Sequence, residues 1–108
     1  MALTGKRLDT RVFPTTIATF YTVPGSTKTR ITEIIVCNAA AAGRTIRIHF
    51  VPSGGSADTS NAVAYDWSVP PGIPVPIPLN TWLNTGDLIR GVASAADVSC
   101  TISGIEET

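Results

Sequence analysis

The stretch GIPVPIPLN, residues 72–80, places Pro74, Pro76 and Pro78 at every second position, with Val75 and Ile77 between them. Proline has no amide hydrogen and a fixed φ, so sheets admit it only at edges, first residues and bulges. In an extended chain, residues of one parity aim their N–H groups at the same edge. The prolines therefore strip one edge of donors and leave those of Ile73, Val75, Ile77 and Leu79 on the other. Such a segment pairs on one side only, as an edge strand or a polyproline-like strap. Parity also sends Val75, Ile77 and Leu79 toward a core and the proline rings outward. An edge without donors cannot recruit a stray strand, which matters most among crowded copies of the same protein.

Around this segment the chain reads as short strands. No window keeps apolar residues at helical spacing, so helix is at most a minor component. Residues 15–22, TTIATFYT, run into a Val23-Pro24-Gly25 turn, and residues 29–38, TRITEIIVCN, are rich in β-branched side chains. There Ile31, Glu33 and Ile35 share one parity while Ile34 and Val36 share the other, which predicts a bulge near Glu33 that switches faces. Residues 44–51, RTIRIHFV, alternate with Ile46, Ile48 and Phe50 inward and Arg47 and His49 outward. A polar loop, 53–61, leads to AVAYDWSV (62–69), whose alternation puts Val63, Tyr65, Trp67 and Val69 on one side. DLIRGVAS (87–94) and DVSCTISGI (97–105) complete the series, the last with Val98, Cys100 and Ile102 against Ser99, Thr101 and Ser103. The expectation is an all-β domain over 15–108, an antiparallel β-sandwich or jelly roll of seven strands, eight if the N-terminal region adds one. Residues 1–14 read as a flexible or partner-ordered arm carrying Lys6, Arg7, Asp9 and Arg11.

At 108 residues there is room for one core. Eight basic and eight acidic residues give no net charge, which argues against a chain held on nucleic acid by bulk electrostatics. Apolar runs are strand-length, so none is expected to span a membrane, and MALTGKRLDTR lacks the apolar core of a signal peptide. Cys37 and Cys100 are too few for a disulfide scaffold, which points to synthesis in the cytoplasm. Both cysteines occupy inner or switch positions and read as buried, reduced thiols, since no CxxC or second histidine completes a metal site.

Catalytic chemistry finds little to use. His49 is the single histidine, and any Ser–His–Asp or Cys–His site would need it. Its place beside Arg47 on an outer strand face reads more plainly as a half-exposed strand histidine. Asp58, Asp66, Asp87 and Asp97 are scattered through loops and strand ends, with Asp87 and Asp97 reading as turn residues. Gly54-Gly55 is too short for a phosphate cradle. The sequence therefore implies no enzyme and no cofactor. Trp67 and Trp82 could stack on sugars, which would make a carbohydrate-binding or host-recognition module, although core packing or a subunit contact is the commoner use of tryptophan.

An ordered set of motifs carries a resemblance. Phe20-Tyr21-Thr22-Val23-Pro24, then Lys28–Arg30 leading to Ile31-Thr32-Glu33-Ile34, then Val36-Cys37-Asn38, resembles the opening of small β-sandwich structural proteins of tailed bacteriophages. The series continues through Val51–Gly55, Gly86–Gly91, Ala93–Asp97 and Ile102–Gly104, covering roughly residues 18–106. Where this chain has Pro70–Pro78, that family typically has a tight glycine-bearing loop. The resemblance implies a virion protein without catalysis: a capsid decoration (cement), neck or tail accessory subunit. It also implies a homo-oligomer, by analogy a trimer, whose partners are itself and other virion proteins. The candidate interface is Lys6, Arg7, Arg11, Pro74, Pro76, Pro78 and Trp82.

Overall fold

The structure, a computed structural model, describes residues 2–108. Eight strands follow in order: β1 (Leu3–Val12), β2 (Ala18–Thr22), β3 (Lys28–Asn38), β4 (Arg44–Val51), β5 (Ala62–Val69), β6 (Val75–Leu83), β7 (Leu88–Ala93) and β8 (Val98–Glu107). The one helical element is a single 3-10 turn, Thr59–Asn61. The strands form two four-stranded antiparallel sheets, β1-β8-β3-β6 and β2-β7-β4-β5. Consecutive strands from β1 to β4 alternate between the sheets, and each sheet interleaves strands from the two ends of the chain. This is the eight-stranded jelly roll.

The core fills the gap between the sheets. Ile31, Ile34 and Val36 from β3, Ile46 and Ile48 from β4, Ile89 from β7 and Val98, Cys100 and Ile102 from β8 are all essentially inaccessible. Phe13, at the turn from β1, meets Phe20 of β2 edge to face, ring centroids 5.3 Å apart. The alternations expected for 44–51 and 97–105 hold, with Phe50 partly buried against the same core. The expected switch in β3 is present as well. Its register against both neighbours shifts between Ile31 and Glu33, so Ile31 and Ile34 both face inward.

Three expectations are corrected. Residues 3–12 are no free arm, because β1 pairs with β8 from Leu3↔Glu107 to Val12↔Ser99. In β5 the clean alternation is broken at Asp66, which takes φ +52°, a left-handed conformation that aspartate tolerates better than most residues. Val63 and Tyr65 consequently lie on the outer side, while Trp67 pairs with inward-facing Ile46 and Ala64 with Ile48. Cys37 is half-buried, on the outer face, because the switch at Glu33 sends Ile34 and Val36 inward; only Cys100 is buried. Asp87 behaves as a turn residue: it takes the N–H groups of Ser53 and Asn84 on its carboxylate and so shapes the turn around Gly86.

Gly91 of β7 marks the tightest point of the core. A Cβ there would lie 2.6 Å and 2.7 Å from ring carbons of Phe20 and 3.2 Å from the Phe13 ring. Phe20 is held between Phe13 and the Arg11 guanidinium, 4.6 Å from its ring centroid, and has little freedom to withdraw. Gly91→Ala is therefore expected to destabilise by about 1–3 kcal/mol, read as a lower urea midpoint at unchanged m-value. An unchanged midpoint would mean that the ring yields.

Candidate functional site

The two edges of each sheet meet at two seams, and the seams are built differently. At the β1–β2 seam Arg11 turns inward. Its guanidinium pairs with Asp9, donates to the carbonyls of Thr19 and Phe20, and lies over the Phe20 ring. Lys6 also turns inward, to Glu106 at 2.8 Å, and Glu106 accepts the Tyr21 hydroxyl, which also meets Thr29 Oγ1 at 2.9 Å. This cluster joins four strands from both sheets. Burial and the neighbouring carboxylate push the Tyr21 phenol up to about 12, while Lys6 and Tyr21 hold the Glu106 carboxyl below its usual range. Two of the three basic residues named for an interface are thus engaged internally, and Arg7 alone of them remains exposed without a carboxylate partner among the described residues.

At the opposite seam, β6 pairs only with β3 and is an edge strand. Val75, Ile77 and Leu79 pack against the core, while Pro76 and Pro78 are exposed. Pro74 lies just outside the strand, exposed in the connection from β5. With no N–H at Pro76 and Pro78, the free side of β6 lacks donors where β5 and β6 adjoin. Trp67, Ala64 and Ile77 line a shallow apolar depression between these two edges. Trp82 stands 48% exposed on the outer face of β6, with Arg30 5.9 Å from its ring.

His49 has a structural task that strand reading missed. It faces outward as expected but is only 4% exposed, because the 53–61 loop folds over it. Nδ1 lies 3.0 Å from the Asp58 carbonyl and 2.9 Å from Asn61 Oδ1, two acceptors, so Nδ1 carries the proton. The Asn61 amide is oriented by Asp58 N–H on its oxygen and by its own donation to the Ser56 carbonyl. His49 thus clamps a loop. Asn38, fully buried, is a second clamp that sequence reading missed. Its side chain donates to the Ala42 and Val69 carbonyls and accepts from Ala40 N–H, while its carbonyl takes Gly72 N–H. An inward-facing asparagine at the end of a β-branched run was the available signal. Among the described residues no group of three or more His, Cys, Asp and Glu could hold a metal ion, and no helix is long and apolar enough to cross a membrane.

The outer face of the β1-β8-β3-β6 sheet gathers its charge toward one end. Cross-strand register arranges it in rows: Leu3, Glu107 and Lys28; Gly5, Ile105, Arg30 and Trp82; Arg7, Ser103, Glu33 and Pro78; Thr10, Thr101, Ile35 and Pro76; Val12, Ser99 and Cys37. The last two rows contain no ionisable residue except the Cys37 thiol. The opposite sheet's outer face instead carries paired charges, Arg47 bidentate on Asp66 and, at its margin, Arg44 on Asp97, and these arginines hold both carboxyls below their usual range.

The fold recurs in assembling proteins. The subunit of Bacillus endospore appendages, described as a family of disulfide-linked pili, superposes with a TM-score of 0.59 at 14% identity, over 98% of this chain and 88% of that one. The VP2 subviral particle protein of infectious bursal disease virus superposes with a TM-score of 0.51 at 16% identity, over 97% of this chain. The chain spans only 32% of that VP2 chain. A pentameric capsid protein from metagenomic phage sequences overlays at 0.38 and 19% identity, over 93% of this chain and 61% of its own. No protein-family model and no curated protein matches the sequence. At these identities the likeness to the pilus protein and to VP2 bears on the fold alone.

Two predictions follow from the placement of these residues. The Pro76→Thr/Pro78→Thr variant restores two donors to an exposed edge, so light scattering at matched concentration should show self-association well beyond that of the parent. Its stability should fall by only about 0.4–1 kcal/mol per site where proline fits unstrained, and a variant as dispersed as the parent would show that the prolines guard nothing. Thiol labelling of the dilute native protein should separate the cysteines. Cys37 should react readily. Cys100, its thiol pushed up to about 12 chiefly by burial, should react only on unfolding. Equal rates would contradict the outward orientation of Cys37.

Proposed function

We propose that the protein is a non-enzymatic structural subunit of a tailed-bacteriophage virion, a capsid decoration (cement) or head or tail accessory protein. It is made in the host cytoplasm and incorporated as a symmetric homo-oligomer, a trimer by analogy with the proteins its motifs resemble. One observation carries the reading: along nearly its whole length the chain shares its fold with VP2 of a subviral particle and with a pilus subunit, proteins that work by repetition. The architecture is consistent with that use. A jelly roll buries both sheets against each other and leaves two faces and two seams for neighbours. Here one face has two adjoining rows without charge and one edge is blunted by proline, which restricts the ways copies can join. Partners are further copies and other virion proteins, with no nucleic acid and no membrane.

A second reading has one observation in its favour. Trp67 and Trp82 are 39% and 48% exposed, and jelly rolls also serve as lectin domains. In that reading the protein is a carbohydrate-binding or host-recognition module, and glycan binding would disappear in Trp67→Ala or Trp82→Ala. Against it, the two rings stand on strands of different sheets and form no common platform.

Mass spectrometry of gradient-purified particles tests the structural reading. The protein should co-purify with intact virions at a fixed copy number and be located by immunogold on the head, neck or tail. Its absence from intact particles would overturn the proposal.

A further inference from the structure

Sheet faces in contact with water normally alternate charged and polar residues against the buried ones. The rows Thr10–Thr101–Ile35–Pro76 and Val12–Ser99–Cys37 depart from this, with Val12 56% and Ile35 40% exposed and only hydroxyl groups and a thiol beside them. The rings of Pro76 and Pro78 continue the apolar surface onto β6, and Trp82 stands beyond the exposed Asn80, beside Arg30. The charges on this face that lack a carboxylate or cationic partner among the described residues, Arg7, Arg30, Glu33, Lys28 and Glu107, lie in the other three rows.

We propose that this face packs against the same face of a second copy, about a twofold axis parallel to the strands. The inference rests on the self-assembly part of the proposed function and does not depend on the particle. Sheets pack face to face about 10 Å apart with strand directions within about 30°, which side chains of this size can fill. The axis follows from the rows. A twofold parallel to the strands sets each row against itself with strand order reversed, so the rows without charge meet each other. It brings Arg7 of each copy one strand spacing, about 4.8 Å along the sheet, from Glu33 of the other and sets Lys28 directly opposite Glu107, attractions that outnumber the Glu33–Glu33 and Arg30–Arg30 approaches at the same one-strand offset. A twofold across the strands, centred on the same row, would set Arg7 on Arg7 and Glu33 on Glu33, and would bury the Lys28 and Glu107 row against Val12 and Cys37. Like charges placed opposite repel, so the first arrangement wins. Four strands of about ten residues present roughly 650 Å² of face per copy, roughly 1,300 Å² for the pair, at the lower end of specific interfaces. A threefold contact through the β5–β6 seam would leave this face free, so the two associations are compatible.

Sedimentation equilibrium across about 1–100 μM is the test, run on the full chain and four variants: Ile35→Glu, Arg7→Glu, Glu33→Arg and the Arg7→Glu/Glu33→Arg pair. The parent should contain an even number of copies, and Ile35→Glu should halve the mass of the associated species. Each single reversal should weaken the contact by about tenfold, and the paired reversal should recover most of that loss. All three positions are on the outer face, and unchanged circular dichroism and unfolding midpoints will verify the fold. An independent readout uses the unmodified protein: labelling of Cys37 should slow as concentration rises through the same range while that of Cys100 stays slow throughout. A parent with no even-numbered species at the highest concentration, or full association in Ile35→Glu, overturns the interface. A paired reversal no better than either single one overturns the axis. If Ile35→Glu misfolds, concentration-independent labelling of Cys37 overturns the interface by itself. Association in solution with absence from virions would leave this contact standing and remove the particle; the opposite pair of results would do the reverse.

Discussion

Everything in this molecule depends on side-chain parity. Two sheets of four strands enclose a dry gap, and each strand must deliver apolar residues to it although its side chains alternate. β8 keeps one parity inward without interruption, with Val98, Cys100 and Ile102 in the apolar core and Gly104 and Glu106 following on the same side. Its two neighbours do not. β1 slips register between Arg7 and Asp9, and β3 slips between Ile31 and Glu33, both against the stretch of β8 from Ile102 to Gly104. Gly104 sits where these irregularities converge, and a Cβ there would lie 2.6 Å from the Arg30 carbonyl and 2.8 Å from Leu8 Cδ1. The bulges and the glycine are therefore one feature crossing three strands. It bends the sheet locally and raises its twist.

How much of this the sequence discloses depends on whether the parity change leaves a mark. In β3 it does, because apolar residues occupy both parities around Glu33, and a regular strand would have exposed half of them. In β6 the prolines announce a segment that pairs on one side only, an edge strand or a polyproline-like strap, and the structure shows the edge strand. β5 hides its bulge: Val63, Tyr65, Trp67 and Val69 alternate cleanly, and nothing local shows that Asp66 adopts a left-handed conformation. β1 is concealed for a different reason. Its inner positions carry Lys6, Asp9 and Arg11, charges that look out of place in a strand facing a core until Arg11 is seen to pair with Asp9 and reach carbonyls on β2, and Lys6 to reach Glu106 on β8, far away in sequence. The same distance in sequence conceals the clamps at His49 and Asn38, whose partners come from loops. Of the residues named as a candidate interface, Arg7, Pro76, Pro78 and Trp82 share an outer face, and the grouping emerges only from register.

The two seams illustrate how a small sandwich manages its open sides. At β1–β2 a guanidinium spans the edges, and the polar ends of both strands are consumed by it. Arginine suits that place because its planar fork serves a carboxylate and two carbonyls while its face covers an aromatic ring. At β5–β6 no such bridge exists. Bulk does part of the covering, through Trp67 and Ile77, and proline removes the hydrogen-bonding capacity that would otherwise remain. A sequence with even charge and few ionisable groups to spare can close one side by electrostatics and must close the other by sterics.

The pairing of Ala2 with Thr108, N–H to carbonyl in both directions at 3.1 Å and 3.0 Å, brings the described ends of the chain side by side. This has a mechanical consequence. Hydrogen bonds of an antiparallel pair run across the strands, so tension applied to the two ends would peel β1 from β8 one bond at a time, the weakest way to load a sheet. The same bonds resist together when force enters along the strands through a face. A domain of this design is compliant as a tether and stiff as a tile.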